Sequence, residues 1–358
     1  RRQRQMCIRD SLNIVFKMEV KNKILLTGGT GYIGSHTAVE LIDQGYEVII
    51  VDDLSNSEFH TIKSIGKITG TKPEFHEFDL RDLSSLTTLF KDNKFDGIIH
   101  FAAKKAVGES VENPLLYYDV NINSMLNLLK LMELNYVSNL VFSSSCTVYG
   151  QPSKLPVTED TPFESAKTPY GHTKQIGEEI LLHTTSKNGQ LQALSLRYFN
   201  PVGAHPSALI GELPIGIPSN LVPYIAQTVA GLRSELKVYG DDYNTPDGTA
   251  IRDYIHVVDL AKAHVRAIER MLNHEQKKSY EYFNIGTGKG SSVLEVIQAF
   301  ERINRTNVPY RVIDRRAGDI AKIYADTARA NDDLDWRAQL SLDDMMKSAW
   351  EWQKTLNS

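Results

Sequence analysis

Ile24-Leu25-Leu26-Thr27-Gly28-Gly29-Thr30-Gly31-Tyr32-Ile33-Gly34 is the stretch that decides the fold of this 358-residue chain. Its first four residues form an apolar run bounded by glycine, which predicts a strand buried on both faces. Apolar residues then recur at helical spacing from Ile33 to Ile42, and Gly45 follows as a C-terminal cap. The stretch therefore predicts a strand, a tight turn and a helix in direct succession.

The glycines of this turn have the spacing of a dinucleotide-binding motif. Gly28 permits a tight turn, Gly31 lets the backbone approach a pyrophosphate, and Gly34 allows close contact between helix and strand. The diphosphate would meet the unpaired N–H groups at the helix N-terminus. Asp52 ends the next predicted strand, where its carboxylate can accept hydrogen bonds from both ribose hydroxyls. No arginine follows in residues 53–57 to receive a 2′-phosphate, so the predicted cofactor is NAD rather than NADP.

Strands and helices continue to alternate after this unit. Further strands are predicted at Glu47–Val51, Phe75–Phe78, Gly97–Phe101, Leu140–Phe142 and Leu194–Leu196. This alternation predicts an α/β fold, a Rossmann-type doubly wound parallel sheet with helices on both faces. Beyond residue 200 the pattern loosens into Pro/Gly-rich loops with short strands. We therefore expect an NAD-binding domain at 18–199 and a smaller C-terminal α/β substrate lobe at 200–358, with interleaved boundaries.

Composition limits the possible partners. The chain has 40 Lys and Arg against 44 Asp and Glu, a net charge of −4, which argues against nucleic acid or an anionic membrane. The longest uncharged run, Leu213–Leu232, contains three prolines and predicts a loop followed by a short helix rather than a membrane span. Only Cys7 and Cys146 occur, so we expect no disulfide framework, no metal site and a cytoplasmic location. Residues 1–17 are set aside as a tail extraneous to the fold.

A second constellation carries the predicted chemistry. Phe142-Ser143-Ser144-Ser145 closes a strand at its carboxyl end, where ligands gather in open α/β sheets. Tyr170 and Lys174 follow as an i, i+4 pair on one helical face. A phenol of pKa ~10 is a poor base, but a lysine ammonium and a positively charged nicotinamide would lower that pKa. Ser145 can hydrogen-bond the same substrate oxygen and relay its proton.

These motifs resemble those of the extended short-chain dehydrogenase/reductases and, within them, the UDP-galactose 4-epimerase family. The resemblance runs from about Lys21 to Trp352 and is carried by five further stretches, at residues 99–103, 105–110, 142–150, 197–206 and 252–257. Two departures are visible: Ala103 stands where many members have glycine, and Val120 where some have an asparagine, with Asn121 adjacent.

The resemblance implies a set of binding residues. Those expected at NAD are Gly28, Gly31, Tyr32, Ile33 and Gly34 at the pyrophosphate; Asp52, Asp53, Leu54, Ser55, Asn56 and Ser57 at the adenosine ribose; Asp79 and Leu80 at the adenine; and Phe101, Ala102, Ala103, Lys105, Asn121, Ser145, Tyr170, Lys174 and Phe199 toward the nicotinamide. Those expected at a UDP-sugar are Lys105, Ser145, Tyr170, Asn200, Asn220, Leu221, Lys237, Val238, Tyr239, Arg252, Tyr254, Arg316 and Asp319.

The implied reaction is reversible C4 epimerisation of UDP-glucose and UDP-galactose through a transient 4-keto sugar and enzyme-bound NADH. Ser145, Tyr170 and Lys174 are the implied catalytic residues. The resemblance also implies a homodimer built on helices near 121–132 and 170–182, and a sugar pocket sized by Ile323. Isoleucine there predicts poor but detectable turnover of N-acetylated sugars.

Three alternatives remain open. Another NAD-dependent epimerase, acting on UDP-glucuronate or UDP-N-acetylglucosamine, would share the same motifs. A 4,6-dehydratase needs an Asp-Glu pair after the strand-end serine, where this chain has Cys146 and Thr147. A non-catalytic NAD-binding regulator would be expected to lose Tyr170 or Lys174, and both are present.

Overall fold

A computed structural model of the chain describes residues 21–188, 190–316 and 319–356. The predicted tail at residues 1–17, and Cys7 within it, lie outside the described residues. In the part of the chain described, no helix is both long and apolar enough to cross a membrane.

The main sheet has seven strands, all parallel, in the order β10-β6-β5-β4-β1-β2-β3. The prediction of a doubly wound parallel sheet is confirmed. The strands of this sheet are β1 (Lys23–Thr27), β2 (Glu47–Asp52), β3 (Glu74–Glu77), β4 (Gly97–His100), β5 (Asn139–Ser145), β6 (Gln192–Tyr198) and β10 (Tyr280–Ile285). β5 runs past the predicted Phe142 because the three serines continue to pair with β6 as far as Ser145 opposite Tyr198.

Helices cover both faces of this sheet. They are α1 (Tyr32–Asp43), α2 (His60–Thr69), α3 (Leu83–Asp92), α4 (Val107–Glu112), α5 (Pro114–Tyr118), α6 (Ser124–Leu134), α7 (Pro169–Asn188), α9 (Val257–Leu272) and α11 (Ala328–Asp332). A π-helical turn at Asp119–Asn123 joins α5 to α6, and a 3-10 turn at Cys146–Tyr149 follows β5.

The apolar run in β1 shows why the sequence adopts this arrangement. Ile24 and Leu26 point into the core shared with α1, α2 and α9, whereas Leu25 points into the core shared with α3, α6 and α7. All three side chains are fully buried. An uninterrupted apolar strand is thus required because neither face meets water.

The second lobe holds two small sheets packed on three helices. β7 (Asn200–Val202), β9 (Ile251–His256), β11 (Gly290–Ser292) and β13 (Lys322–Ile323) form one sheet; β8 (Leu236–Tyr239) pairs with β12 (Tyr310–Ile313); and α8 (Leu221–Val229), α10 (Val293–Asn304) and α12 (Leu342–Leu356) cover them. The predicted loop and short helix at 213–232 are confirmed by α8.

The chain crosses between the lobes more than once. After entering the second lobe at β7, it returns to place α9 against α1 and β10 along the edge of β6. The proposed division at residue 199/200 therefore separates residues that share one sheet.

Candidate active site

The glycine turn between β1 and α1 has the shape of a diphosphate cradle. Gly28 has φ +71°, and a Cβ there would lie 2.6 Å from the Ala102 nitrogen. A Cβ on Gly34 would lie 2.3 Å from the Gly28 oxygen, so both positions exclude side chains. A Cβ on Gly31 would meet only that same oxygen, at 3.2 Å. The space next to the Gly31 Cα is therefore almost free of protein atoms. A side chain there would occupy the space expected for a ligand.

The N-terminus of α1 is suited to an anion. Gly31 is the N-cap residue, and no side chain caps the helix. The first N–H groups of a helix have no partner within it, and they carry the positive end of the helix dipole. Tyr32 and Ile33 are the first two residues of α1, so their backbone N–H groups are among those without a helical partner. The pyrophosphate was predicted at this end of the helix.

Asp52 lies beside this turn at the end of β2. Its carboxylate accepts hydrogen bonds from the backbone N–H of Thr30 at 3.2 Å and of Leu54 at 3.0 Å, and from the Ser57 hydroxyl at 3.1 Å. Ser57 also lies 2.7 Å from the Thr30 hydroxyl. The 52–57 loop, with Asp53, Ser55 and Asn56, therefore folds back toward the glycine turn, as expected for a ribose site.

Asp79 and Leu80 follow β3, the neighbour of β2. The Arg81 guanidinium binds Asp79 and holds the pKa of that carboxyl below its usual range. Leu80 is buried, and its carbonyl accepts a hydrogen bond from the Asn127 amide at 3.2 Å. The two residues thus lie on the same sheet edge as Asp52, where the adenine was predicted.

The segment after β4 is fixed from two sides. The backbone N–H groups of Phe101 and Ala102 both donate to the Thr27 carbonyl, at 2.9 and 3.1 Å. Further along, Asn121 accepts from the Lys104 N–H at 2.8 Å and donates to the Lys104 carbonyl at 3.1 Å and the Thr173 hydroxyl at 3.0 Å. Asn121 therefore clamps the 101–105 segment, including Ala103, onto α7; its direct contact with the cofactor stays a prediction.

The three predicted catalytic residues meet where β5 and α7 adjoin. Ser145 ends β5, and its hydroxyl accepts the Thr147 N–H at 3.2 Å. The Lys174 ammonium donates to the Ser143 carbonyl at 2.6 Å and lies 3.3 Å from the Ser143 hydroxyl. The same nitrogen lies 5.9 Å from the centre of the Tyr170 ring. α7 approaches β5 closely at Gly177, where a Cβ would lie 2.7 Å from the Phe142 ring.

Burial determines the direction of the pKa shifts of Tyr170 and Lys174. Burial raises the pKa of Tyr170 to about 12, although a hydrogen bond with Ser145 opposes the rise. Burial also lowers the pKa of Lys174 to about 8, and the Glu178 carboxylate opposes that change. The lowering of the tyrosine pKa that we expected from Lys174 together with a nicotinamide stays a prediction, because the protein groups alone raise that pKa. The positive charge of a nicotinamide is the remaining contribution.

The second lobe supplies cations and an aromatic ring. Arg252 on β9 lies 3.6 Å from the Asp319 carboxylate, and the Arg316 guanidinium stacks 3.8 Å from the centre of the Tyr239 ring. That these two arginines bind a diphosphate by forked hydrogen bonds stays a prediction. Asn220 precedes the first residue of α8, Leu221, and donates to the Glu212 carboxylate at 2.6 Å. On the other lobe, Lys105 lies 3.3 Å from the same carboxylate.

Several predicted substrate residues have side chains turned into the protein. Val238 is buried in the core of the second lobe, whereas Lys237 beside it is exposed. Tyr254 is buried in the same core, opposite Asn200 in the β7–β9 pairing, and burial raises the pKa of Tyr254 to about 12. For Val238 we therefore expect contact with substrate through the backbone.

Phe199 links the two lobes at the end of β6. It is buried in a cluster that also contains Tyr149 and Ile323. In the register of β13 against β9, Ile323 lies opposite Arg252. Ile323, which is predicted to limit the size of the sugar pocket, thus shares a cluster with Phe199 and is paired with Arg252 in the neighbouring strand.

Sequence reasoning missed three residues of this site. Ser143 receives the Lys174 ammonium, although its position in the serine run could have suggested it. Asp253, between Arg252 and Tyr254, is fully buried and accepts hydrogen bonds that include those from Thr287 and Ala325. Glu212 is the last charged residue before the uncharged run at 213–232, and this position could have marked it as a candidate site residue. Among the described residues, no group of three or more His, Cys, Asp or Glu side chains is arranged to hold a metal ion.

A doubly wound parallel sheet, a glycine turn at its first helix and a Ser, Tyr, Lys set at the end of β5 together define an extended short-chain dehydrogenase/reductase. A family profile described as GDP-mannose 4,6 dehydratase matches residues 25–349. Within this class, the chain belongs to the UDP-glucose 4-epimerase family. It is 49% identical to the UDP-glucose 4-epimerase of Dictyostelium discoideum over 334 residues, 93% of this chain and 96% of that protein.

Two solved structures agree with this membership. The chain is similar to the crystal structure of UDP-glucose-4-epimerase from Stenotrophomonas maltophila with bound NAD and formylated UDP-arabinopyranose, with 49% identity, a TM-score of 0.91, and coverage of 94% of this chain and 99% of that one. It is also similar to UDP-glucose 4-epimerase from Bifidobacterium longum in complex with NAD+ and UDP, with 47% identity, a TM-score of 0.89, and coverage of 93% and 98%.

Proposed function

We propose that this protein catalyses reversible C4 epimerisation of UDP-glucose and UDP-galactose. The observation that carries the proposal is the meeting of Ser145, Tyr170 and Lys174 at the end of β5, between a dinucleotide-type glycine turn and an arginine-bearing second lobe. The relatives named above, which span nearly the whole chain, support the same activity.

The residues of this chain fit NAD as the cofactor. The space at Gly31, the uncapped N-terminus of α1 and the Asp52 carboxylate match a diphosphate followed by a ribose with two free hydroxyls. A 2′-phosphate would be repelled by Asp52. When bound, NAD supplies a hydride acceptor that is regenerated in each cycle, so the chain would act as an isomerase despite its oxidoreductase fold.

The chain's own residues supply the proton transfer and hold the substrate. We assign to Tyr170 the removal of the O4 proton of the sugar and its return after the sugar has turned over. Ser145, whose hydroxyl opposes the burial-driven rise in the pKa of Tyr170, would hold the same oxygen. Arg252 and Arg316 would grip the diphosphate on the second lobe, so that the keto sugar can rotate about this anchor and present its other face.

The alternatives are less well supported by the site. Elimination by a 4,6-dehydratase needs an acid and a base after the strand-end serine. Burial raises the pKa of the Cys146 thiol in that place to about 12, and Thr147 has no titratable side chain. A non-catalytic regulator would have no need for the buried Lys174. Epimerases of UDP-glucuronate or UDP-N-acetylglucosamine share the same catalytic set, so substrate choice decides between them.

The test is incubation with UDP-galactose, UDP-N-acetylgalactosamine and UDP-glucuronate in turn. We expect conversion of UDP-galactose to UDP-glucose without net accumulation of NADH absorbance, because the cofactor is reoxidised in each cycle. Preferred turnover of UDP-glucuronate, or a steady rise in NADH, would contradict the assignment. Tyr310→Phe removes one phenol oxygen from the exposed strand β12 and serves as the matched control for changes at Tyr170.

We propose further that the protein is a cytoplasmic homodimer. Val111 on α4, Leu115 on α5 and Leu182 on α7 are 60%, 81% and 52% exposed, and α5 packs against α7. Large apolar side chains exposed on adjoining helices are typical of an interface. Light scattering should give twice the mass of one chain, and Leu115→Lys should reduce it to one chain, whereas Ile303→Lys on α10 should not. A wild-type monomer would refute the dimer, and cell fractionation tests the location.

A further inference from the structure

The Glu212 carboxylate connects the two lobes across the site. Its Oε1 atom lies 3.3 Å from the Lys105 ammonium of the first lobe and 2.6 Å from the Asn220 amide of the second lobe. Lys105 and Asn220 were both predicted from the sequence to bind ligands. One carboxylate oxygen therefore holds a predicted ligand-binding residue from each lobe.

The two partners of this ion pair differ in exposure to solvent. The Glu212 side chain is only 11% exposed, whereas the Lys105 side chain is 48% exposed. The backbone of Glu212 is fixed because its carbonyl accepts the Trp352 indole N–H at 2.9 Å. The distance from Lys105 to Glu212 exceeds the about 2.7–2.9 Å of a strong charge-assisted bond. The carboxylate is therefore enclosed by the second lobe, while the ammonium is exposed to solvent and has only a long contact with it.

The pair lies where an anionic ligand is expected. The Lys105 ammonium is 5.9 Å from the centre of the Tyr32 ring, and Tyr32 is the first residue of α1 after the glycine turn. Glu212 is near enough that its charge, together with the larger effect of burial, raises the pKa of Tyr32. A Lys–Glu ion pair next to a diphosphate site opposes binding when the ligand must first withdraw the ammonium from the carboxylate.

We propose that Glu212 is a positioning residue that holds the Lys105 ammonium in the free protein and releases it to a diphosphate when the ligand binds. This inference rests on the proposed function. In the exchange, the ammonium moves from Glu212 to phosphate oxygens, and Glu212 keeps its hydrogen bond from Asn220. No proton or covalent bond changes. Because the pair must break whenever the diphosphate binds and re-forms when it leaves, Glu212 weakens binding and favours release. The diphosphate belongs either to the UDP-sugar or to NAD.

The test is a double-mutant cycle on the NAD-loaded protein, with the dissociation constant for UDP measured by calorimetry. We expect Glu212→Gln to tighten UDP binding by about twofold to fivefold, the equivalent of one exposed ion pair. Lys105→Met should weaken it, and Glu212→Gln should lose most of its effect in that background because no ammonium is left to release. Weaker UDP binding in Glu212→Gln, or equal tightening in both backgrounds, would overturn the exchange.

Two further measurements show whether the diphosphate is that of the UDP-sugar or that of NAD. Uridine lacks phosphate, so its binding should not respond to Glu212→Gln. Slower loss of NAD during dialysis of this variant, with UDP binding unchanged, would assign the exchange to the cofactor and support it. No change for either ligand would refute it. Glu47→Gln, which removes a surface carboxylate 2.8 Å from Lys23 at the start of β2, is the control and should alter neither. Failure of the wild type to convert UDP-galactose would contradict the proposed function, while the NAD arm would still decide the exchange.

Discussion

Lys174→Met should change how the stability of this protein depends on pH. Burial lowers the pKa of Lys174 from 10.5 to about 8. Between these values the unfolded chain holds the proton that the folded chain has lost, so the free energy of unfolding of the wild type rises with pH. At ~1.4 kcal/mol per pKa unit, the whole interval corresponds to about 3 kcal/mol. About 2 kcal/mol of this falls between about pH 7 and pH 9.5.

Methionine has a similar length and no titratable group, so the variant lacks this contribution. Urea unfolding at several pH values should show the wild type gaining about 2 kcal/mol relative to Lys174→Met between about pH 7 and pH 9.5. A pH-independent loss of cofactor binding, or of the hydrogen bond to Ser143, would change the free energy of unfolding of the variant by the same amount at every pH. It would not change how the difference between the two proteins depends on pH. Lys354→Met, at an exposed residue of α12, is the control with no slope expected. A flat difference for Lys174→Met would refute the buried-charge argument.

Three further substitutions test the site. Tyr170→Phe should lower kcat by about 10²–10⁴ while UDP affinity stays near that of the wild type, because only the proton acceptor is lost; turnover within about threefold of wild type would contradict the proposed proton transfer, and Tyr310→Phe is the control. Asp52→Asn should weaken NAD binding, since each charge-assisted bond to a ribose hydroxyl contributes about 1.5–3 kcal/mol; unchanged retention of NAD after chromatography would remove Asp52 from the ribose site. Ile323→Gly should raise turnover of UDP-N-acetylgalactosamine relative to UDP-galactose by enlarging the pocket beside Phe199, and an unchanged ratio would show that Ile323 does not limit its size.

Local patterns made the first half of the site predictable. The β1–turn–α1 unit and the Tyr170 and Lys174 pair each depend on residues within a few positions of one another, and their spacing alone requires the geometry observed. The position of Asp52 was predictable for a similar reason, because the carboxyl ends of neighbouring parallel strands lie at the same edge of the sheet.

Long-range contacts account for what the sequence did not indicate. Glu212 lies 107 residues from Lys105, and no local pattern connects them. The direction of the Tyr170 pKa depends on burial by segments distant in the chain, whereas the sequence displayed only the neighbouring lysine. The resemblance placed Val238 at the substrate, but the alternation along β8 turns its side chain into the core.

The return of β10 to the main sheet has a consequence for how the protein is made. β6 ends at Tyr198, but its partner strand β10 begins only at Tyr280. At a synthesis rate of about 5–20 residues per second, the ribosome needs roughly 4 to 16 seconds to bridge that gap. During this time the nascent chain lacks both α9, which covers one face of the sheet, and β10, so the outer backbone N–H and C=O groups of β6 have no partner strand. Such an edge can pair with other chains. A chain terminated near residue 199 would keep this unpaired strand edge permanently, since the partner of β6 lies at Tyr280–Ile285.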